Sequence, residues 1–429
     1  MGKDTVKVGL LGAGTIGGGV IDLYKSNSNL LNERVGFAVV FEKVADLDQE
    51  RLQALGLTKE QISTDAADVL ENPDLDIVIE LIGGIKPAYG FIKKAIENGK
   101  YVVTANKDLM ATHGEELIEL ARRNNVNIYY EASVGGGIPL IRPMKQSLVA
   151  DRVRRLIGIV NGTTNYIFTR MARNNMTLQE ALAEAQKFGF AEPDPTNDVE
   201  GLDAAYKLVI MANLVFGKKA EFAKVHIEGI SGVTYEDIAY AREIGYTIKL
   251  LAIGEEKPGG LALRVHPTLV SLDHPLASVM NELNAVFIES DAAHELMFYG
   301  PGAGPMPTAT AILSDVVEAA RSIRFNVAGG VMETKLHETS FVPLGEVEAR
   351  FYLRFLVEDR AGVFASLANA FGDENVSLDM IIQKRRVGEL AEVVLVTHKA
   401  KEEAFRRALS KVTGIEAIKS DPSIIRLLD

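Results

Sequence analysis

A glycine-rich loop close to the N-terminus constrains the fold of this chain more than any other feature. The apolar residues 6–11 lead directly into GAGTIG at residues 12–17, and a helical pattern follows. Gly12 permits a tight turn, Gly14 lets the backbone approach a pyrophosphate, and Gly17 lets the helix pack closely on the strand. Because the first turn of the helix would also offer free N–H groups to phosphates, this context favours a dinucleotide site over a glycine-tolerant surface turn. The expected cofactor contacts are Gly12, Gly14, Thr15, Ile16 and Gly17.

Strands and helices alternate through the first 133 residues. Helical stretches of about 10–15 residues, such as 88–98, separate short apolar runs. This alternation predicts βαβ units and therefore an α/β, Rossmann-type domain with a doubly wound parallel sheet. The apolar runs are residues 37–44, 76–82, 101–104 and 126–130.

The pattern changes after residue 133. Residues 135–139, GGGIP, interrupt the alternation, and a mixed α+β region runs to about residue 325. Residues 326–349 have only a weak pattern and are predicted to be a linker. Residues 350–429 follow the order β-α-β-β-α-β, which predicts a separate, ferredoxin-like unit.

Composition narrows the class of protein. Lys and Arg total 46 against 58 Asp and Glu, and the net charge of −12 argues against nucleic-acid binding and against an anionic membrane surface. No apolar run reaches the roughly 18 residues needed to span a bilayer, and the first residues show no secretory pattern. The chain has no cysteine, which excludes a disulfide, a thiolate nucleophile and a cysteine-ligated metal. We therefore expect a cytoplasmic enzyme or regulator.

The end of the second predicted strand bears on the choice of dinucleotide. Asp46 stands there, where a carboxylate would accept hydrogen bonds from a free ribose 2′-hydroxyl and repel a 2′-phosphate. The nearest basic residues, Lys43 and Arg51, do not lie at the strand end itself. The sequence thus favours NAD over NADP, and an ordinary loop-opening role for Asp46 is the alternative.

Two lysines and a run of carboxylates are candidates for chemistry. Lys107 follows the strand at residues 101–104, so it faces either a ligand crevice or solvent. Asp203 and Lys207 lie one turn apart on a predicted helix. An exposed pair of this kind is a surface ion pair, but this helix is apolar on most sides, which favours a functional role. A lysine in such a place can donate or accept a proton.

A polar segment, NGTTNY at residues 161–166, closes one predicted strand and opens a helix. Its hydroxyl and amide groups would suit an amino-acid substrate, and helix capping is the alternative interpretation. The seven histidines show no zinc-binding spacing, so a zinc site is not expected.

Six motifs, in the right order, resemble those of homoserine dehydrogenase across residues 5–325. The most specific is EPDPTNDVEGLDAAYKL at residues 192–208. Residues 357–363, VEDRAGV, resemble the start of an ACT domain, a small amino-acid-sensing module. The other five motifs are GAGTIGGGV at 12–20, TANK at 104–107, EASVGGGIP at 131–139, NGTTNYI at 161–167 and GPGAGPMPTA at 300–309.

The resemblance implies reversible, NAD(P)-dependent interconversion of L-homoserine and L-aspartate 4-semialdehyde in threonine, methionine and isoleucine synthesis. It implies that Lys207 exchanges a proton with the substrate oxygen and that Lys107 assists the transfer. Residues 134–325 would be a catalytic and dimerisation domain, with a helix at about 305–325 returning to the dinucleotide-binding domain at residues 1–133. The implied substrate contacts are Glu192, Asp203, Gly189 and Asp198, and the implied further cofactor contacts are Lys107 and Gly302.

The resemblance also implies an ion, an effector and an assembly. A monovalent cation, expected to be Na⁺, would take a side-chain oxygen of Glu131 and main-chain oxygens of Val134, Gly136 and Ile138, since hard oxygen ligands suit such an ion. A glycine hinge between domains is the alternative for this segment. The ACT-like unit would bind an end product such as threonine, or serve only in dimerisation, and the chain would form a homodimer or homotetramer.

One departure from the family pattern keeps the cofactor question open. Many NADP-using relatives place an arginine just after the second strand, whereas this chain has ADLD at residues 45–48. The departure puts the usual NADP preference in question, and leaves the implied reaction unaffected.

Two other functions stay open on the sequence. Another amino-acid or aldehyde dehydrogenase would share the scaffold, although a cysteine-dependent semialdehyde dehydrogenase is excluded because the chain has no thiol. A non-catalytic sensor that binds dinucleotide and amino acid would not need the lysine-and-carboxylate set of residues 192–208, which argues against it.

Overall fold

The computed structural model describes residues 3–327 and 335–428. Its packing divides the chain into two compact units. The first unit consists of Met1–Arg154, Tyr206–Ala223 and Ile288–Glu338, and the second of Arg155–Ala205, Lys224–Phe287 and Thr339–Asp429. Within the described ranges, no helix has both the length and the apolar character needed to cross a membrane.

The N-terminal stretch forms the predicted parallel sheet. Its six strands are all parallel and lie in the order β3-β2-β1-β4-β5-β6, the doubly wound order of a dinucleotide-binding domain, so the predicted fold class is confirmed. The elements are β1 (Thr5–Leu11), α1 (Thr15–Val35), β2 (Ala38–Ala45), α2 (Gln49–Ala54), β3 (Ile62–Ser63), α3 (Ala67–Leu70), β4 (Ile77–Glu80), α4 (Lys86–Glu97), β5 (Tyr101–Thr104), α5 (Lys107–Arg123), β6 (Ile128–Tyr129) and α6 (Ile141–Gln146).

The middle stretch mixes helices with long antiparallel strands. The two longest strands, β9 and β10, form a hairpin that stays in register from Lys257↔Gly260 to Tyr246↔Ser271. The elements are β7 (Val153–Ile159), α7 (Gly162–Asn174), α8 (Leu178–Lys187), α9 (Thr196–Val199), α10 (Leu202–Phe216), β8 (His226–Ile227), α11 (Tyr235–Glu243), β9 (Tyr246–Lys257), β10 (Gly260–Ser271), β11 (Leu283–Ser290), β12 (His294–Pro301) and α12 (Pro305–Phe325).

The C-terminal stretch has the predicted βαββαβ order, which is thus confirmed. Its four main strands lie in the order β17-β13-β15-β14, and the stacked rings of Phe351 and Phe405 join the sheet to a helix in its core. The elements are β13 (Glu348–Glu358), α13 (Val363–Gly372), β14 (Leu378–Val387), β15 (Leu390–Thr397), β16 (Ala400–Lys401), α14 (Glu402–Thr413) and β17 (Ser423–Leu427).

The C-terminal sheet does not stand apart, although the sequence predicts a separate unit. Strand β17 pairs in parallel with β10 at Thr268↔Arg426 and Leu269↔Leu427. An edge strand carries unpaired N–H and C=O groups, and this pairing satisfies them. One continuous sheet with the order β11-β7-β9-β10-β17-β13-β15-β14 therefore runs through the second unit.

The predicted linker, residues 326–349, is only partly covered, because residues 328–334 lie outside the described residues. His337 forms a parallel bridge with Lys218 inside the first unit, and Phe341 forms one with Leu261 inside the second. Backbone hydrogen bonds therefore attach His337 to its own unit, the first, and Phe341 to its own unit, the second.

Helix α12 belongs to the core of the first unit, next to α1. Its buried residues include Ala309, Ile312 and Val316, which share a hydrophobic cluster with the strands of the parallel sheet. A Cβ atom at Gly19 of α1 would lie 2.9 Å from the carbonyl oxygen of Pro305. The close approach of the two helices explains the glycine at position 19, the last of the GGG run.

Candidate functional site

The three glycines of the glycine-rich loop differ in whether the folded chain leaves room for a side chain. Gly12 has φ +89°, and a Cβ there would lie 2.8 Å from the carbonyl oxygen of Leu81. A Cβ on Gly17 would overlap the carbonyl oxygen of Gly12. A Cβ on Gly14 would meet nothing within 4 Å, although Gly14 directly precedes α1. Two glycines are thus required by the chain itself, whereas the third leaves open space at a helix N-terminus, which fits a pyrophosphate.

Asp46 follows directly on β2 and holds the loop in place. One carboxylate oxygen accepts a hydrogen bond from the backbone N–H of Ala13 at 2.6 Å, and the other accepts one from Asp48 N–H at 2.9 Å. The sequence predicted a contact between Asp46 and the ribose, but it did not predict these hydrogen bonds to the backbone. A substitution of Asp46 will therefore affect the loop as well as any ligand.

Glu80, whose backbone pairs with Leu11 beside the glycine-rich loop, is a buried carboxylate that was not singled out from the sequence. It is fully buried at the end of β4, where one oxygen accepts N–H bonds from Ile82 and Gly83 at 2.8 and 3.2 Å. Its other oxygen accepts the Thr104 hydroxyl at 2.9 Å. The sequence did contain a sign of this residue, a carboxylate within an otherwise apolar strand. Burying a carboxylate costs free energy unless it is hydrogen-bonded.

The two candidate lysines both lie in the first unit. Lys107 opens α5 behind the capping residue Asn106, and Lys207 lies on α10 directly after Tyr206. Burial raises the pKa of Tyr206, the Asp108 carboxylate raises it further, and the Lys107 ammonium lowers it. The start of α5 therefore lies within electrostatic reach of the helix turn that carries Lys207. Both lysines are partly buried.

A cluster of two carboxylates and one amide lies in the second unit. The side-chain N–H₂ of Asn161 donates to Asp198 at 2.6 Å and to Asp203 at 2.8 Å. The Asn161 side-chain oxygen accepts the N–H of Thr164 and so caps α7. Asn161 and Asp203 are buried. The polar segment at 161–166 therefore caps a helix and also binds two carboxylates that lie 37 and 42 residues further along the chain.

The other predicted substrate residues lie on the turn that follows α8. Gly189 has φ +77°, a conformation that favours glycine, and a Cβ there would meet nothing within 4 Å. The Thr163 hydroxyl donates to the carbonyl oxygen of Phe190 at 2.6 Å and ties this turn to α7. Glu192 is exposed, and its main-chain oxygen accepts the Gln186 side chain at 3.1 Å. The turn is anchored on one side and open on the other.

The segment predicted to hold a cation is buried in the first unit. The carboxylate of Glu131 accepts backbone N–H bonds from the start of α6, at residues 140, 141 and 142. Gly136 has φ +54°, and a Cβ there would lie 2.5 Å from the carbonyl group of Gly302. Burial, reinforced by the charge of Glu131, raises the pKa of the neighbouring Asp315 to about 7. Among the described residues, no three His, Cys, Asp or Glu side chains form a metal-binding group.

Comparison with known protein families assigns three parts of the chain. Residues 12–131 match the NAD-binding domain of homoserine dehydrogenase, residues 139–317 match the homoserine dehydrogenase family model, and residues 351–414 match the ACT domain. The three matches follow the order of the predicted domains.

Individual relatives match over nearly the whole length. Homoserine dehydrogenase of Bacillus subtilis is 42% identical over 98% of both chains, and that of Synechocystis is 42% identical over 99% of this chain and 100% of the relative. A crystal structure of a homoserine dehydrogenase from Thiobacillus denitrificans has a TM-score of 0.94 at 38% identity and covers 100% of this chain and 99% of its own. A hyperthermophilic archaeal homoserine dehydrogenase in complex with NADPH has a TM-score of 0.62 at 26% identity over 73% of this chain and 97% of its own. The chain therefore belongs to the homoserine dehydrogenase family of oxidoreductases, as a member with an NAD(P)-binding domain and a C-terminal ACT domain.

Proposed function

We propose that this chain catalyses the reversible, NAD(P)-dependent interconversion of L-homoserine and L-aspartate 4-semialdehyde in threonine, methionine and isoleucine synthesis. The observation that carries the proposal is the pair of carboxylates, Asp198 and Asp203, bridged by the Asn161 amide. Two carboxylates held together in this way suit an ammonium-bearing substrate. The family relationship supplies the reaction, and this cluster supports a binding site for the substrate ammonium at these residues.

Lys207 is proposed as the group that exchanges a proton with the substrate oxygen. Bound NAD(P)⁺ supplies the hydride acceptor for alcohol oxidation. Lys207 in its neutral form would accept the hydroxyl proton in that direction and return it in the other. Lys107 is proposed to assist the transfer and to contact the cofactor, and its proximity to the Tyr206 turn supports a shared role.

The substrate ammonium is proposed to bind at Asp198 and Asp203, with Glu192 and Gly189 on the neighbouring turn. Asn161 donates both of its N–H bonds to the two carboxylates, so it fixes their spacing before any ligand arrives. Such preorganisation reduces the entropy lost when the substrate binds. The open side of the turn at Gly189 gives a ligand room to enter.

We propose NAD as the preferred dinucleotide, because Asp46 directly follows β2, where a carboxylate in this fold accepts hydrogen bonds from a free ribose 2′-hydroxyl and repels a 2′-phosphate. The NADPH complex of the archaeal relative argues for testing both forms. We expect kcat/KM, followed at 340 nm with saturating L-homoserine, to be several-fold higher for NAD than for NADP. Asp46→Asn keeps the shape of the side chain, removes its charge and should reduce the ratio of kcat/KM for NAD to that for NADP. A higher kcat/KM for NADP in the unaltered protein would contradict the assignment.

A monovalent cation, proposed to be Na⁺, would be held by Glu131 together with main-chain oxygens of Val134, Gly136 and Ile138. A carboxylate has about four lone-pair positions, and three of those on Glu131 accept N–H bonds from residues 140–142. The remaining capacity and the tight glycine turn beside it support the proposal, since Na⁺ takes hard oxygen ligands.

We propose L-threonine as the effector of the ACT domain, with residues 359–363 at the binding loop. Gly362 has φ +90° in front of α13, and residues 359–362 are exposed. We expect millimolar L-threonine to lower the rate of homoserine oxidation, measured at 340 nm against an equal concentration of D-threonine. An unchanged rate with the L-isomer would contradict the proposal and leave the domain a role in assembly.

The domain boundaries, the assembly and the cellular location are also proposed. Residues 1–133, 134–325, 326–349 and 350–429 are proposed as the dinucleotide-binding domain, the catalytic domain, the linker and the regulatory domain, and the three family matches support this division. A homodimer or homotetramer and a cytoplasmic location stay predictions.

A further inference from the structure

A buried arginine near the C-terminus ties the ACT domain to the middle of the second unit. Arg426 on β17 is 2% exposed. Its guanidinium donates to both oxygens of Glu228 at 2.7 and 2.9 Å, and to both oxygens of Glu402 at 2.8 and 2.6 Å. Glu402 belongs to the ACT domain, whereas Glu228 directly follows β8 of the catalytic region.

Glu228 is held from several sides. His226 approaches one of its oxygens at 2.8 Å, and its backbone N–H donates to Val265 at 2.8 Å. Burial alone would raise the pKa of Glu228, but the hydrogen bonds from His226 and Arg426 hold it well below its usual range. The Arg426 side chain is buried, whereas that of Glu228 is one-third exposed, so the two hydrogen bonds from this fixed guanidinium help to set the position of Glu228.

The residues after Glu228 pack directly on a turn of the candidate substrate site. A Cβ on Gly229 would lie 2.5 Å from the carbonyl oxygen of Val199 and 2.8 Å from Glu200 Cα. The N–H of Ile230 donates to that same Val199 carbonyl at 2.8 Å. The hydroxyl of Ser231 donates to the Glu200 carboxylate at 3.0 Å. Three consecutive residues therefore support the turn at 199–200.

This turn connects the two carboxylates proposed to bind the substrate ammonium. Asp198 precedes Val199 on α9, and Asp203 lies in the first turn of α10. Gly201 between them has φ +81°, and a Cβ there would lie 3.2 Å from Val265 Cγ1. A shift of the turn would therefore alter the spacing of the carboxylates that Asn161 bridges.

We propose that Arg426 and Glu228 are positioning residues, through which the ACT domain sets the spacing of Asp198 and Asp203 and thereby the affinity for the amino-acid substrate. The proposal rests on the proposed role of those two carboxylates. The chain of direct contacts runs from β17 through Glu228 and the residues that follow it to the turn at 199–200. No residue of this chain of contacts needs to touch the substrate.

The test uses the full-length enzyme carrying Glu228→Gln, which keeps the shape of the side chain and removes its charge. We expect KM for L-homoserine to rise about tenfold, while KM for the dinucleotide stays within about twofold, because a small displacement of a positioning group weakens only the ligand that it orients. Ser231→Ala, at an exposed residue, should raise KM for L-homoserine in the same direction but less, and it keeps the test possible if Glu228→Gln fails to fold.

Glu392→Gln is the matched control. Glu392 is 2% exposed in the ACT domain and accepts hydrogen bonds from Arg354 at 3.0 Å and from Tyr240 of α11 at 2.7 Å. It is thus a buried carboxylate that joins the ACT domain to the catalytic region at α11 rather than at residues 228–231. We expect Glu392→Gln to lower Tm and leave KM for L-homoserine unchanged.

The outcomes separate the positioning role from the site assignment. Unchanged KM for L-homoserine in Glu228→Gln, or in Ser231→Ala if the first variant does not fold, would overturn the proposal, as would an equal rise in Glu392→Gln. Asp203→Asn, measured in parallel, tests the substrate site itself. A raised KM in Asp203→Asn with no effect of Glu228→Gln refutes the positioning role alone, whereas no change in Asp203→Asn refutes the site and the positioning role together.

Discussion

Lys207→Ala is expected to lower kcat for homoserine oxidation by about 10²–10⁴-fold, the contribution typical of a positioned acid or base. KM for L-homoserine should change little, because the lysine acts on the proton that moves and the ammonium of the substrate is held elsewhere. The reaction also requires a hydride acceptor, whose affinity the substitution should leave intact. Steady-state rates at 340 nm with both substrates varied give the two parameters separately.

Two further variants distinguish the loss of proton transfer from the loss of a positive charge and from general damage to the structure. Lys207→Arg keeps the positive charge but cannot release a proton near neutral pH, so it should be as impaired as the alanine variant. Lys219→Ala removes a partly exposed lysine of the same unit, which pairs with Glu115 at 3.0 Å, and should leave kcat unchanged. A kcat near that of the unaltered enzyme in Lys207→Ala, or a full recovery in Lys207→Arg, would contradict the proposed role.

Gly14→Val is expected to abolish dinucleotide binding while leaving the stability of the fold unchanged. A Cβ at this residue meets no protein atom within 4 Å, and its φ of −57° lies outside the left-handed region that favours glycine. The added methyl groups would instead occupy the space left for the pyrophosphate. We expect Kd to rise more than about 100-fold, equivalent to about 2.8 kcal/mol, in a titration with NAD or NADH.

The neighbouring glycines provide the control for this substitution. Gly17→Val should lose stability, because its side chain would overlap the Gly12 carbonyl. A thermal melt therefore distinguishes the two variants before any ligand is added: only Gly17→Val should show a lower Tm. Normal dinucleotide affinity in Gly14→Val would refute the assignment of the loop as a pyrophosphate cradle.

The parts of the fold that local patterns encode were predictable. The alternation of apolar and helical stretches specifies a parallel sheet, because buried parallel strands are short apolar runs joined by helices. The βαββαβ order of the C-terminal stretch was visible for the same reason. The spacing of Gly12 and Gly17 also reports local backbone requirements, and the structure gives these two glycines separate physical reasons.

The contacts that cross long stretches of sequence were not predictable. The pairing of β10 with β17 joins residues about 158 apart, and nothing in either strand specifies that partner. Asn161 looked like a helix cap, and its side-chain oxygen is one, but the N–H₂ of the same amide bridges carboxylates 37 and 42 residues away. Asp46 likewise holds the glycine-rich loop through a bond that only the folded chain defines. Periodicity indicates which face of an element is buried, and it leaves the choice of polar partner open.

Chemical rescue tests most directly whether the Lys207 amine relays the proton that accompanies hydride transfer. Homoserine oxidation by Lys207→Ala is followed at 340 nm while small primary amines, such as methylamine, are added at constant pH and ionic strength. We predict that the rate rises in proportion to the concentration of neutral amine, with tetramethylammonium giving no rescue. A rate that stays equally low with every amine, or one that tetramethylammonium also restores, would contradict the claim.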